Sequence, residues 1–160
     1  MEIENQIENA AKTLVETLTQ RGERLTCAES LTGGLVAATI VSVPGASNTF
    51  FQGLVTYQDQ AKEQLLDIPH SVIAGYGAIS SQTAELMARG AASKGHANMA
   101  LATTGNAGPS AAEGKAVGLV FTAVYYNGKC KVTQHHYTGE RNSIRMQTLL
   151  SVLEEAVSML

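Results

Sequence analysis

Three side chains in this sequence have the types that amide or ester hydrolysis needs: Ser30, Tyr57 and Lys62. A serine hydroxyl is a weak nucleophile and needs a base within hydrogen-bond reach. The histidines are not placed to supply it. His70 follows Pro69 at a helix start and His96 precedes a strand. His135 and His136 are adjacent in a strand, where consecutive side chains face opposite ways. All four read as surface histidines. Lys62 is the other available base. Its neighbours Ala61, Leu65 and Leu66 are apolar, and partial burial there would lower its pKa toward a neutral amine near pH 7. A Ser30–Lys62 pair, with Tyr57 relaying or orienting a proton, is then chemically sound. The ordinary alternatives stand beside it: a helix-capping serine, a solvated helix lysine and a plain strand tyrosine. No H-x-x-x-H or C-x-x-C spacing occurs, so neither a metal site nor a cofactor is expected.

Polar groups around these three suggest where a substrate would sit. Ser30 lies between a short strand (Leu25 to Ala28) and an apolar helix (Leu35 to Val43), in a turn holding Thr32, Gly33 and Gly34. The first N–H groups of a helix lack partners and carry partial positive charge, so this turn is expected to attract an oxyanion, phosphate or carboxylate. Glu29 is either a second base or a buried acceptor for nearby backbone N–H groups. A second polar loop, with Thr104, Gly105 and Asn106, either closes over a substrate or simply turns the chain. Arg141 and Arg145 are four apart on one helical face. They open the last helix, where the dipole disfavours cations, which hints at an anionic partner such as a phosphate. A salt bridge to Glu140 or another carboxylate is the ordinary explanation.

The elements that must position these groups follow from periodicity. Ile3, Ile7, Ala11, Leu14 and Leu18 share a face, so a helix is expected from about Glu2 to Arg21, stopped by Gly22. Phe50 to Tyr57 reads as a strand, and Gln58 to Leu66 as a short helix directly after it. Pro69 opens another helical turn that Gly75 and Gly77 end. Ser80 and Ser81 cap a helix through Lys94, with Ala84, Met87, Ala88 and Ala91 as its apolar stripe. The apolar run Ala97 to Thr104 suits a strand covered on both faces. Val117 to Tyr126 and Lys129 to Thr138 form a hairpin around Asn127-Gly128. A last helix runs from about Asn142 to Leu160, with Ile144, Leu149, Leu153, Val157 and Leu160 facing inward. Strands alternating with helices predict an α/β fold, a three-layer α/β/α sandwich on a mixed, mostly parallel sheet. Sites in such sheets form where strands end and loops cross over.

The 160 residues suit a single domain, and 44% apolar content is enough for a core. The net charge of −3 argues against a general nucleic-acid partner. No apolar run approaches the ~20 residues of a membrane span. The acidic start Met1-Glu2-Ile3-Glu4-Asn5 is unlike a secretion signal, so a cytoplasmic protein is expected. Cys27 and Cys130 encode no disulfide framework and read as small strand hydrophobes. By analogy with small α/β domains that build sites near subunit contacts, a homo-oligomer, with a dimer foremost, is expected.

Taken together, the residues resemble a known family. Ala28-Glu29-Ser30-Leu31-Thr32-Gly33-Gly34 resembles the A-E-S-C-T-G-G signature of the C-terminal domain of the competence/damage-inducible protein CinA. Val55-Thr56-Tyr57 with Ala61-Lys62 resembles its V-T-Y…A-K element, and Ala78-Ile79-Ser80 its A-V-S. Thr104-Gly105-Asn106-Ala107-Gly108-Pro109 is similar to its S/T-G-x-A-G-P loop. Lys115-Ala116-Val117-Gly118 resembles its K-P-V-G, and Gly139-Glu140-Arg141 with Arg145 its G-D-R…R ending. That family includes stand-alone amidases that convert nicotinamide mononucleotide to nicotinate mononucleotide and ammonia in pyridine-nucleotide recycling. The resemblance implies a metal-independent serine amidohydrolase with Ser30 as nucleophile, Lys62 as base and Tyr57 assisting. It implies that Thr32, Gly33 and Thr104 line the oxyanion or amide pocket. Gly34, Gly105 and Asn106 belong to the same two substrate-binding loops, and Arg141 and Arg145 are the phosphate candidates on charge. Larger members carry an N-terminal domain related to molybdopterin-binding proteins, whose activities are not expected from a chain of this length. Leu31 stands where the family has cysteine, Asn106 where it has an apolar or aromatic residue, Ala116 for proline and Glu140 for aspartate. Two other functions remain open: a non-catalytic nucleotide-binding or regulatory protein, and a Ser/Lys hydrolase of another small amide.

Overall fold

The computed structural model describes residues 2–160. Helix α1 (Glu2–Arg21) leads into β1 (Leu25–Glu29), α2 (Leu35–Val41) and β2 (Phe50–Val55). Helices α3 (Asp59–Leu66), α4 (His70–Tyr76) and α5 (Ser81–Gly95) precede β3 (Met99–Gly105). The hairpin β4 (Leu119–Tyr126) and β5 (Lys129–His136) is followed by α6 (Arg141–Ser158).

The strands form one sheet in the order β2-β1-β3-β4-β5. β1 is parallel to both β2 and β3, while β4 is antiparallel to β3 and to β5. Every strand except β4 therefore runs the same way, and the sheet is mixed and mostly parallel as expected. Asn127 and Gly128 both take positive φ (47° and 92°), the geometry a two-residue hairpin turn needs.

Alternation along the buried strands feeds two cores. Leu25, Cys27, Met99, Leu101 and Val124 pack against α1, α2 and α6, including Leu14, Leu18 and Leu153. Ala28, Ala100, Ala102 and Ala123 face the other way, against Ala84, Met87, Ala88 and Ala91 of α5. Each fully buried leucine contributes roughly 1.5–3 kcal/mol. The second face is built from small residues on both sides, which brings α5 close to the sheet. This is the three-layer sandwich.

Element edges shift by a few residues for local reasons. β4 starts at Leu119, not Val117, because Gly118 turns at φ 91° and donates its N–H to the Asn106 carbonyl. β2 stops at Val55, so Thr56 and Tyr57 leave the sheet. α2 ends at Val41. Two residue-level expectations are corrected. His135 is mostly buried, with Nε2 2.8 Å from Thr122 Oγ1 and 3.2 Å from Glu155. Neither Arg141 nor Arg145 pairs with Glu140; both bond oxygen atoms that carry no charge.

Candidate active site

The chain leaves β1 on one side to form β2, then returns through α3–α5 across the other face to place β3 on β1's far side. β1 is thus a switch point, and a crevice opens beyond its carboxyl end. Because β1, β2 and β3 are parallel, their C-terminal loops converge there. Glu29 is level with Val55 on one side and Thr103 on the other. A cavity of about 440 Å³ lies among these loops, lined by Ser30, Tyr57, Asp59, Lys62, Glu113 and Arg141 with the 104–112 segment.

Ser30 is held by its own backbone. Its N–H donates to the Thr103 carbonyl at 3.0 Å, and the residue is 8% exposed, in the cavity wall. The capping alternative is set aside by φ and partners: α2 has Gly34 (φ 105°) at its N-cap, with no side-chain cap.

What fills the N-terminus of α2 is Glu29. Its carboxylate accepts from Gly34 N (3.2 Å), Val36 N (2.9 Å) and Ala37 N (3.0 Å). The anion expected at this turn is therefore the protein's own buried side chain, and Glu29 is a structural acceptor. The Gly33 N–H closes the turn onto the Ser30 carbonyl at 3.1 Å. The N–H groups of Leu31 and Thr32 have no acceptor among the described residues. Gly33 (φ 55°) also lets the Arg145 guanidinium lie against the turn, 3.5 Å from where a Cβ would stand.

Lys62 is 1% exposed, the largest fully buried side chain among the described residues. Its Nζ lies 3.1 Å from Ser30 Oγ, 2.8 Å from the Thr56 carbonyl and 3.1 Å from the Tyr57 carbonyl. Carbonyl oxygens only accept. A neutral amine has two N–H bonds and one lone pair, so when both N–H bonds serve the carbonyls, the lone pair faces Ser30. Burial pushes the Lys62 pKa below the ordinary lysine value, and Asp59 and Glu113 pull part of it back.

Tyr57 contributes differently from expectation. Its backbone carbonyl, not its phenol, touches the pair, while the residue is 57% exposed and its hydroxyl accepts from Arg141 Nη2 at 3.1 Å. Among the described residues the phenol bonds neither Ser30 nor Lys62.

The remaining sequence-derived candidates divide. Thr104, Gly105, Asn106 and Arg141 line the cavity. Thr104 Oγ1 donates to the Ala78 carbonyl at 2.7 Å, and Asn106 braces its own loop through Gly108 N and the Lys115 carbonyl. Thr32, Gly33, Gly34 and Arg145 are not among the residues that line it. Thr32 is fully buried and shares a 2.8 Å bond with Thr103 Oγ1. Arg145 donates to the carbonyls of Leu31 (2.9 Å) and Thr32 (3.2 Å), which leaves Arg141 as the guanidinium facing the cavity.

Sequence reasoning missed two acids. Glu113 accepts from Ala78 N (2.9 Å) and Ile79 N (3.0 Å) and pairs with Lys115 at 3.3 Å, clamping the 106–115 loop to the segment before α5. Burial pushes its pKa up, but those N–H groups and Lys115 outweigh it and the net shift is downward. Asp59 also lines the cavity; its only signal was its spacing, three residues before Lys62 on the same helix. Among the described residues no three His, Cys, Asp or Glu side chains are grouped so that they could hold a metal ion, and no helix is long and apolar enough to cross a membrane.

The CinA C-terminal domain model matches residues 7–160. A CinA-like protein of Geobacter sulfurreducens is 43% identical over 136 residues, covering 84% of this chain and 33% of its own. A putative competence-damage inducible protein of Limosilactobacillus reuteri is 47% identical over 139 residues, again 84% and 33%. The chain thus spans about a third of the length of these curated relatives. Among solved structures, the competence/damage inducible protein CihA from Agrobacterium tumefaciens superposes with a TM-score of 0.93 at 36% identity, over 96% of this chain and 95% of that one. A CinA superfamily protein from Escherichia coli superposes with a TM-score of 0.94 at 30% identity, over 96% and 90%.

Proposed function

This chain belongs to the CinA C-terminal domain family, and from that premise we propose that it is a serine amidohydrolase that deamidates nicotinamide mononucleotide to nicotinate mononucleotide and ammonia. The observation that carries the reading is the buried Lys62 amine against the Ser30 hydroxyl, at 3.1 Å. Lys62 ties down two backbone carbonyls of the turn between β2 and α3, and its remaining neighbour is the hydroxyl of the candidate nucleophile. Its lowered pKa suits a general base.

Neutral Lys62 takes the Ser30 proton as Oγ bonds to the carboxamide carbon, and the carbonyl π-pair moves to oxygen. The Leu31 and Thr32 N–H groups are the candidate donors to that oxyanion; losing one such donor commonly costs about 3 kcal/mol. The oxyanion collapses, the C–N bond breaks, and the Lys62 ammonium gives its proton to the departing nitrogen, which leaves as ammonia. Water then loses a proton to Lys62 as it attacks the acyl-serine ester. The C–O bond to Ser30 breaks, Ser30 recovers a proton from Lys62, and the product leaves as the carboxylic acid, which ionises by giving its proton to solvent or to the released ammonia. Arg141 is the group we assign to the phosphate, since its guanidinium has no carboxylate partner among the described residues.

Ammonia release from nicotinamide mononucleotide, read by a coupled assay, tests the proposal. Turnover that disappears in folded Ser30→Ala and Lys62→Met proteins supports it. Full activity in the serine variant overturns the mechanism. Ligand-dependent stabilisation without ammonia would assign a binding role instead, and turnover of other small amides alone would reassign the substrate.

A further inference from the structure

Asp59 is out of place beside a base. It sits one turn before Lys62 in α3, lines the same cavity, and its charge helps hold a proton on that amine. It suits the helix dipole as the acid of the first turn of α3, but it is exposed and has no hydrogen-bond or ion-pair partner among the described residues. Glu113, the other acid lining the cavity, is consumed by Ala78, Ile79 and Lys115. The open cavity therefore offers one unpaired carboxylate and one guanidinium, Arg141. The exposed Tyr57 ring precedes Asp59 by two residues and bonds Arg141 through its hydroxyl. A ligand that complements these groups carries a cation toward Asp59 and the Tyr57 face and an anion toward Arg141.

Resting on the amidase reading of this site, we propose that Asp59 and the Tyr57 ring select a substrate whose carboxamide-bearing ring is positively charged. An N-ribosylated pyridine ring meets that requirement; free nicotinamide and a reduced, dihydropyridine ring do not. A bound ring cation also offsets the pull of Asp59 on the lysine proton, so the substrate itself helps free the base.

The test uses a matched pair, nicotinamide mononucleotide and its reduced form, which share carboxamide, sugar and phosphate and differ in ring charge. Affinities are measured by titration calorimetry on Ser30→Ala protein, where turnover does not interfere. The oxidised form is expected to bind at least fivefold tighter. Asp59→Asn in the same background should weaken it by about fivefold and leave the reduced form unchanged. Equal affinities, equal weakening of both forms, or no binding of either overturns the charge selection. Ammonia release by the unsubstituted protein is scored separately. Turnover without ring-charge preference sinks this inference and leaves the amidase reading intact. Preference without turnover does the reverse.

Discussion

Lys62 Nζ lies 3.1 Å from Ser30 Oγ although the two residues are 32 positions apart. The contact exists because β1 and β2 are parallel neighbours, so Ser30 after β1 and α3 after β2 emerge on the same side. Burial makes the contact chemically useful, since it disfavours the ammonium form of the lysine.

The reaction needs the unprotonated amine, so kcat/KM should rise with pH through a pKa below the ordinary lysine value of 10.5. Asp59 raises that pKa, so Asp59→Asn should move the limb to lower pH. Ser30→Ala and Lys62→Met should each lower kcat by roughly 10³-fold or more. A limb that Asp59→Asn leaves in place would show that another group titrates.

Stability should carry the same signature. The folded protein resists protonating Lys62, so the unfolded chain binds more protons between the lowered pKa and 10.5. Stability then rises with pH across that window. In Lys62→Met this rise should be absent. Chemical denaturation at two pH values inside the window checks it, and an unchanged slope in the variant would refute it.

Glu29 should be structural. Glu29→Ala strands three N–H groups of the α2 turn, one buried and two part-buried, and should cost about 3 kcal/mol. Glu29→Gln keeps an acceptor oxygen and should cost less. Thermal or denaturant melts report both, and a neutral Glu29→Ala would mean the turn has another way to satisfy those groups.

The two arginines should separate in kinetics. Arg141→Ala should raise KM for the phosphate-bearing substrate roughly tenfold or more, as expected for a lost charge-assisted contact. Arg145→Ala removes the brace on Leu31 and Thr32, so it should lower kcat and melting temperature with a smaller change in KM. The opposite split would exchange their roles.

Gly90 offers a test remote from the cavity. A Cβ there would stand 2.4 Å from the Leu66 carbonyl at the end of α3. Gly90→Ala should therefore push apart α5 and the helix that carries Lys62. Overpacking of this kind costs about 1–3 kcal/mol, of which helix propensity recovers up to about 1 kcal/mol. A net loss of stability together with reduced kcat is expected in melts and steady-state assays. A stabilised, fully active variant would show that the helices separate freely.

What the sequence determined by itself was local or repetitive. The stripe Ile7, Ala11, Leu14, Leu18 was read as a helix face because its period is the helix's own, and the structure buries it. Asn127-Gly128 specified its turn because few other pairs tolerate two positive φ values. The motif around Ser30, Tyr57 and Lys62 identified the family. Tertiary structure decided what each polar group does. Glu29 closes α2, Arg145 reaches carbonyls more than 110 positions away, Tyr57 presents its carbonyl rather than its phenol, and Asp59 is left unpaired beside the base. The division has one cause: periodicity and turn preference are fixed by neighbours along the chain. A polar atom's partner and its loss of water are fixed by whatever the packed sheet brings across from elsewhere.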